Sequence, residues 1–154
     1  MTSTNINILL ADDDKDDCLF FKEALEEIQI PTQLTVVHDG EQLMDMLIKK
    51  CKEVFHVLFI DLNMPRKNGF TCLQEIKSDP NLKHLPVIIF STSYDEKNAN
   101  LLSENGAQHY ICKPADFSEL KKVIHQALSL LSLKKMKQPN KDNFLLNHLK
   151  AIIL

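Results

Sequence analysis

A chain of 154 residues suits one domain, with some length to spare. Its apolar share of 44%, charged share of 25% and net charge of −3 are ordinary for a globular protein, and they give no electrostatic reason for direct nucleic-acid binding. No stretch is long and apolar enough to span a bilayer, and the first five residues lack the charged and apolar regions of a signal peptide.

The first expected element is a strand over Ile6–Ala11, followed by an amphipathic helix over residues 16–28 with Cys18, Phe21, Leu25 and Ile28 on one side. Acids at its start favour the helix dipole. Pro31 marks a break before a second strand at residues 34–37, which the turn signal His38-Asp39-Gly40 closes. Residues 41–50 form the second helix. A third strand over residues 54–60 ends in the apolar run Val57-Leu58-Phe59-Ile60, which has no alternation and reads as buried on both faces. A short third helix (71–77) stops near Asp79-Pro80, and Pro86 opens the fourth strand (87–90). The fourth helix (95–104) ends at Asn105-Gly106, the fifth strand is His109–Cys112, and Asp116 caps a last helix carrying Phe117, Leu120, Val123, Ile124, Ala127 and Leu128. Lys134-Lys135-Met136-Lys137 reads as a solvated helix end. Residues 137–140 look like a linker, and the apolar tail beyond, with Phe144, Leu145, Leu146, Leu149 and residues 152–154, is expected to dock on its own domain or on a partner subunit.

Five alternating βα units call for a parallel sheet with helices on both faces, because parallel neighbours need crossovers. With the first strand near the centre this is an α/β, flavodoxin-like (βα)5 doubly wound sheet of strand order 2-1-3-4-5. The four cysteines (Cys18, Cys51, Cys72, Cys112) show neither CxxC spacing nor disulfide density, so free, mostly buried thiols in a reducing cytoplasm are expected.

Four of the strands end in reactive polar groups: Asp12 and Asp13, Asp61, Ser91, and Lys113 before Pro114. Open α/β sheets place their sites along that carboxyl edge. Three carboxylates brought together repel, so they need a cation or raised pKa values. A hard divalent ion such as Mg²⁺ answers that need with oxygen ligands. An ammonium and a hydroxyl beside it suit the spread charge of a phosphoryl group, and a carboxylate can accept that group as an acyl phosphate. Each residue alone has a duller reading: the acids at 12–17 as helix caps, Asp61 as a turn residue, Lys113-Pro114 as a turn, and Ser91 as one of a polar run. The combination on successive strand ends carries the inference. The triplet Asp12-Asp13-Asp14 leaves open which pair faces the site, and strand alternation argues for Asp13 inward.

These pieces resemble the receiver domain of response regulators in bacterial two-component signalling. The match rests on Ile8-Leu9-Leu10-Ala11-Asp12-Asp13-Asp14, on Val57 to Pro65 with Asp61, Asn63 and Gly69, on Pro86 to Thr92, and on Gly106-Ala107 with Tyr110-Ile111-Cys112-Lys113-Pro114. It covers about residues 5 to 131. The extra acids after Asp13 and the long connection from Lys77 to Pro86 resemble small stand-alone, chemotaxis-regulator-like receivers, including those partnered with phytochrome-type kinases.

The resemblance implies that Asp61 is the phosphoacceptor and takes its phosphoryl group from a histidine kinase or phosphotransfer protein. Asp12, Asp13, Asp61 and the main-chain carbonyl of Asn63 would hold Mg²⁺, and Lys113 would pair with the phosphoryl oxygens. The Lys113–Pro114 peptide would be cis. Ser91 would swing toward the phosphoryl group and Tyr110 would turn into the space it leaves, altering the face made by helix four, strand five and helix five. The expected protein is a cytoplasmic phosphoprotein switch rather than an enzyme, with a receiver over residues 1–131 and an extension over 132–154 too short for an output domain. Output would run through a downstream protein partner or onward phosphotransfer, with no direct nucleic-acid or membrane contact. A homodimer through the helix-four face or the tail is one arrangement this allows. Two rivals are a Mg²⁺-dependent aspartyl-phosphate phosphatase and a docking module that is never phosphorylated. Asn63 stands where the phosphatase would need a second acid, and the full set Asp12, Asp13, Asp61, Ser91 and Lys113 speaks against the docking module.

Overall fold

The computed structural model describes residues 5–49, 55–132 and 144–147. Eleven elements follow one another along these residues: β1 (Ile6–Ala11), α1 (Lys15–Glu27), β2 (Thr32–Val37), α2 (Gly40–Lys49), β3 (Val57–Ile60), α3 (Gly69–Ser78), β4 (Val87–Ser91), α4 (Glu96–Glu104), β5 (His109–Cys112), α5 (Phe117–Ser132) and β6 (Leu145–Leu146). All strand pairs are parallel, in the order β2-β1-β3-β4-β5-β6.

Period-two alternation divides the apolar side chains of the sheet between two cores. Leu9, Leu58, Ile60, Val87 and Ile89 face α2, α3 and α4, meeting Leu43, Leu47, Leu73, Ile76 and Leu102. Ile8, Leu10, Phe59, Ile88 and Phe90 point the other way, onto Phe21 and Leu25 of α1 and Leu120, Ile124 and Leu128 of α5. Phe21 packs edge-on against both Phe59 and Phe90, at 5.0 and 5.4 Å between ring centroids. A sheet sandwiched in this way leaves only strand ends for polar chemistry.

Several boundaries differ from the sequence expectation. β2 begins at Thr32, because the Pro31 carbonyl accepts from the Ile6 amide at 3.0 Å and the proline costs the ladder nothing on that side. β3 begins at Val57, since His56 occupies the preceding ladder position with its side chain: its Nδ1 accepts from the Asn7 amide at 2.8 Å. Val54 and Cys51 lie outside the described residues. Asn68 caps α3 through its side-chain oxygen on the Thr71 amide at 2.9 Å, so that helix starts at Gly69 rather than Thr71. Cys18 and Cys72 are buried free thiols and Cys112 is half-buried and free. Burial pushes Cys18 up to about 12 and Cys72 up to about 11, which keeps both as unreactive thiols.

The expected order held for five strands, and the tail supplies a sixth. Leu145 and Leu146 pair in register with Tyr110 and Ile111, while Phe144 joins one core and Leu146 the other. The His109 ring nitrogen Nδ1 lies 3.3 Å from the Phe144 carbonyl. The tail therefore docks, over these residues, on its own domain. No helix among the described residues is long and apolar enough to cross a membrane.

Candidate functional site

β1, β3, β4 and β5 deliver their last residues to one edge of the sheet. The Asp12 amide still bonds to the Val37 carbonyl at 3.0 Å, and then the chain turns as the Asp12 Oδ1 accepts from the Asp14 amide at 3.0 Å. Asp14 becomes the N-cap of α1 and accepts from the amides of Asp16 and Asp17. Strand alternation therefore stops at Ala11, and its forecast of Asp13 inward is corrected. Asp12 is wholly buried and Asp13 is exposed, yet both carboxylates reach the site. One oxygen each from Asp12, Asp13 and Asp61 lies within 4.8 Å of the others. Asp14 is excluded from that group by its capping role.

Asp61 follows β3 directly, with its amide on the Ala11 carbonyl at 2.9 Å and its Oδ1 accepting from the Asn63 amide at 3.1 Å. The loop beyond it is packed tightly. A Cβ at Gly69 would lie 2.4 Å from the Asp61 carbonyl oxygen, so only glycine admits the start of α3 here.

Lys113 crosses the edge from β5. Its Nζ lies 2.6 Å from Asp12 Oδ2, 2.8 Å from Asp17 Oδ2 and 3.1 Å from Asp61 Oδ2, and its side chain is 7% exposed. Burial alone would lower its pKa, but hydrogen bonds to Asp12 and Asp17 and the charges of Asp12 and Asp61 outweigh it and hold the ammonium above its ordinary value. Asp17 was read from the sequence only as a cap acid, and the fold makes it a third partner of this ammonium. The Lys113–Pro114 peptide is trans, as are all peptides among the described residues, which corrects the cis bond implied by resemblance. Before proline the two isomers differ by only about 0.5–1 kcal/mol, with trans the lower. Lys113 spans its three carboxylates from the trans form.

Ser91 ends β4 fully buried, and its hydroxyl has no hydrogen-bond partner among the described residues. Tyr110 is already inside: its hydroxyl donates to the Ser93 carbonyl, and its ring sits edge-on to Tyr94 at 5.2 Å and Phe144 at 6.3 Å. Burial raises its pKa.

The carboxylate group fits a hard divalent cation by the state of Asp12. Desolvation by burial, only partly offset by Lys113 and the Asp14 amide, pushes its carboxyl from the ordinary 3.8 up to about 6. The folded value lies above the unfolded one, so protonation of Asp12 stabilises the cation-free fold. That contribution is complete below about pH 4 and lost as the pH rises through about 6. In EDTA, the stability of wild type minus that of Asp12→Asn is expected to fall by about 3 kcal/mol between about pH 3 and pH 7. Urea titrations would read it, and a difference independent of pH would reject a perturbed Asp12.

Comparison with known proteins points the same way as this geometry. The family model described as "Response regulator receiver domain" matches residues 8–125. Response regulator Rcp1 of Synechocystis is 31% identical over 121 residues, covering 76% of this chain and 82% of that protein. The crystal structure of the phosphorylated cyanobacterial phytochrome response regulator RcpA superposes with a TM-score of 0.77 at 30% identity, over 85% of this chain and 96% of that one. The Mn²⁺-bound form of Rcp1 gives 0.72 at 29% identity, over 87% and 99%. With four strand ends converging as they do and the match running through all five βα units, the chain belongs to the receiver-domain family of two-component response regulators.

Proposed function

We propose that this receiver is a Mg²⁺-dependent phosphorylation switch with Asp61 as the phosphoacceptor. The observation that carries this reading is the buried ammonium of Lys113, 3.1 Å from Asp61 and 2.6 Å from Asp12, close to a carboxylate group sized for one cation. An Asp61 carboxylate oxygen attacks phosphorus, the bond from phosphorus to the donor breaks, and the leaving group departs with that bond's electron pair. From a kinase or phosphotransfer protein the leaving group is a histidine ring nitrogen; from acetyl phosphate it is acetate. Mg²⁺ at Asp12, Asp13 and Asp61, with the Asn63 carbonyl as a further ligand, would supply neutralising charge to the phosphoryl oxygens. Lys113 supplies the second cation, and the unpartnered Ser91 hydroxyl is a donor free to turn to the new group.

The chain turns over no outside substrate in this reading. It accepts and loses its own phosphoryl group and passes the signal, in the cytoplasm, to a protein partner. Tyr110 and the face of α4, β5 and α5 form the output surface, where β6 lies along β5 and a partner meets the half-buried Leu145 as well. Leu19 and Phe20 of α1, 53% and 45% exposed and two or three residues after Asp17, suit a protein donor's apolar surface.

Incubation with acetyl phosphate tests the reading. Intact-protein mass is expected to show a single phosphoryl increment with Mg²⁺ and none in EDTA. No increment with Mg²⁺, where a control receiver is converted, would leave a docking module.

A further inference from the structure

The Lys113 ammonium has three N–H donors, and the fold places three carboxylates around it: Asp12, Asp17 and Asp61. It donates hydrogen bonds to Asp17 and Asp61 and pairs by charge with Asp12 at 2.6 Å, so carboxylates surround it before any phosphoryl group arrives. The three acceptors are not equivalent. Asp12 and Asp61 belong to the group of oxygens that fits a divalent cation, and Asp17 does not. Asp12 is fully buried, whereas the Asp17 side chain is 32% exposed. Asp17 is also held in place, since its amide donates to the capping oxygen of Asp14 at 3.1 Å in the first turn of α1.

From this arrangement we propose that Asp17 is a positioning residue for Lys113 that competes with the phosphoryl group and shortens the life of the aspartyl phosphate. The inference rests on the phosphoacceptor reading of Asp61. Once Asp61 carries a phosphoryl group, new anionic oxygens appear beside Nζ, and the ammonium turns toward them at the expense of the carboxylate most easily left to water. Asp17 is the one released, because water can solvate a partly exposed carboxylate, while an abandoned Asp12 would be a buried unpaired charge. Asp17 then stands without its cation close to a second anion. That repulsion, with the continued pull on Lys113, disfavours the phosphorylated state. Decay restores the triad: water attacks phosphorus, the bond to the Asp61 oxygen breaks with its electrons returning to the carboxylate, and inorganic phosphate leaves with the water's proton passing to solvent.

Asp17→Asn keeps the shape and an acceptor oxygen and removes the charge. Asp17→Glu keeps the charge. Each protein would be phosphorylated with acetyl phosphate at saturating Mg²⁺, freed of donor, and followed by intact mass, with thermal melts alongside. The half-life of the phosphorylated form is expected to lengthen roughly fivefold in Asp17→Asn, the size of a partly exposed ion pair, and to remain within twofold of wild type in Asp17→Glu. A purely structural role, as a charge favouring the dipole in the first turn of α1, would lower the melting temperature of Asp17→Asn and leave the half-life alone. An unchanged or shortened half-life in an Asp17→Asn protein that does become phosphorylated overturns the role of Asp17 and leaves the phosphoacceptor reading standing. Absence of phosphorylation in wild type and both variants overturns that reading, and the role of Asp17 with it.

Discussion

Asp61→Ala is expected to take up no phosphoryl group from acetyl phosphate under conditions that convert the wild-type chain. Other carboxylates stand near, so the claim is a specific one. Asp12 is fully buried, its Oδ1 is committed to the Asp14 amide and its Oδ2 to Lys113. Asp13 is exposed and therefore lacks the enclosing donors that stabilise charge as it develops. Asp61 stands in the cation group and beside the ammonium, its Oδ1 is oriented by the Asn63 amide, and unlike Asp12 it is not wholly closed off, at 7% exposure. Deleting it also removes one of the close anions while Lys113 keeps Asp12 and Asp17. The variant should accordingly stay folded, with the far-ultraviolet circular dichroism of wild type. Loss of at least a hundredfold in the rate of incorporation is the expected size, of order 3 kcal/mol in the barrier. A phosphoryl increment retained in folded Asp61→Ala would move the acceptor elsewhere and sink the assignment.

Gly69→Ala should produce the largest loss of stability among single-methyl changes in the loop after β3. In an ordinary helix the exchange of glycine for alanine stabilises by about 1 kcal/mol. Here the sign reverses, because the added Cβ would lie 2.4 Å from the Asp61 carbonyl oxygen, 3.0 Å from the Leu62 Cα and 3.1 Å from the Asp61 carbonyl carbon. All three are backbone atoms, and the same stretch is tied by the Gly69 amide to the Leu62 carbonyl at 3.0 Å. Either α3 moves outward or the segment carrying Asp61 shifts, at a cost of about 3 kcal/mol. Urea unfolding followed by circular dichroism would measure it. Phosphoryl uptake should fall together with stability, since Asp61 is one of the residues displaced. A variant as stable as wild type would show that the loop yields without strain.

Much of this was legible in the residues themselves, and the reasons differ from place to place. Asp61, Asp12, Ser91 and Lys113 stood out because each interrupts an apolar run, and the sheet edge is the one place where such an interruption is tolerated. Asp17 gave no comparable signal. An acid in the first turn of a helix is explained by the helix dipole alone, and its partner Lys113 lies 96 residues away. Only the packing of α1 beside α5 brings the two together. β6 was hidden for another reason: two residues, Leu145 and Leu146, are too few to show a period, and their strand character comes from the open edge of β5. The isomer before Pro114 was beyond reach of sequence, since a preference of about 0.5–1 kcal/mol leaves both forms open. Phe144 and Tyr110, though both recognised as apolar or half-buried positions, were not paired, because nothing local links them.

The late pairing of β5 has a consequence during synthesis. His109 and its partner Phe144 are separated by 35 positions, with α5 between them. At a translation rate of about 5–20 residues per second, Tyr110 and Ile111 leave the ribosome some 2–7 seconds ahead of the residues that cover them. For that interval the nascent sheet presents a bare edge flanked by apolar side chains, the kind of surface that recruits neighbouring chains. The arrival of Phe144 to Leu146 closes that edge over Tyr110 and Ile111.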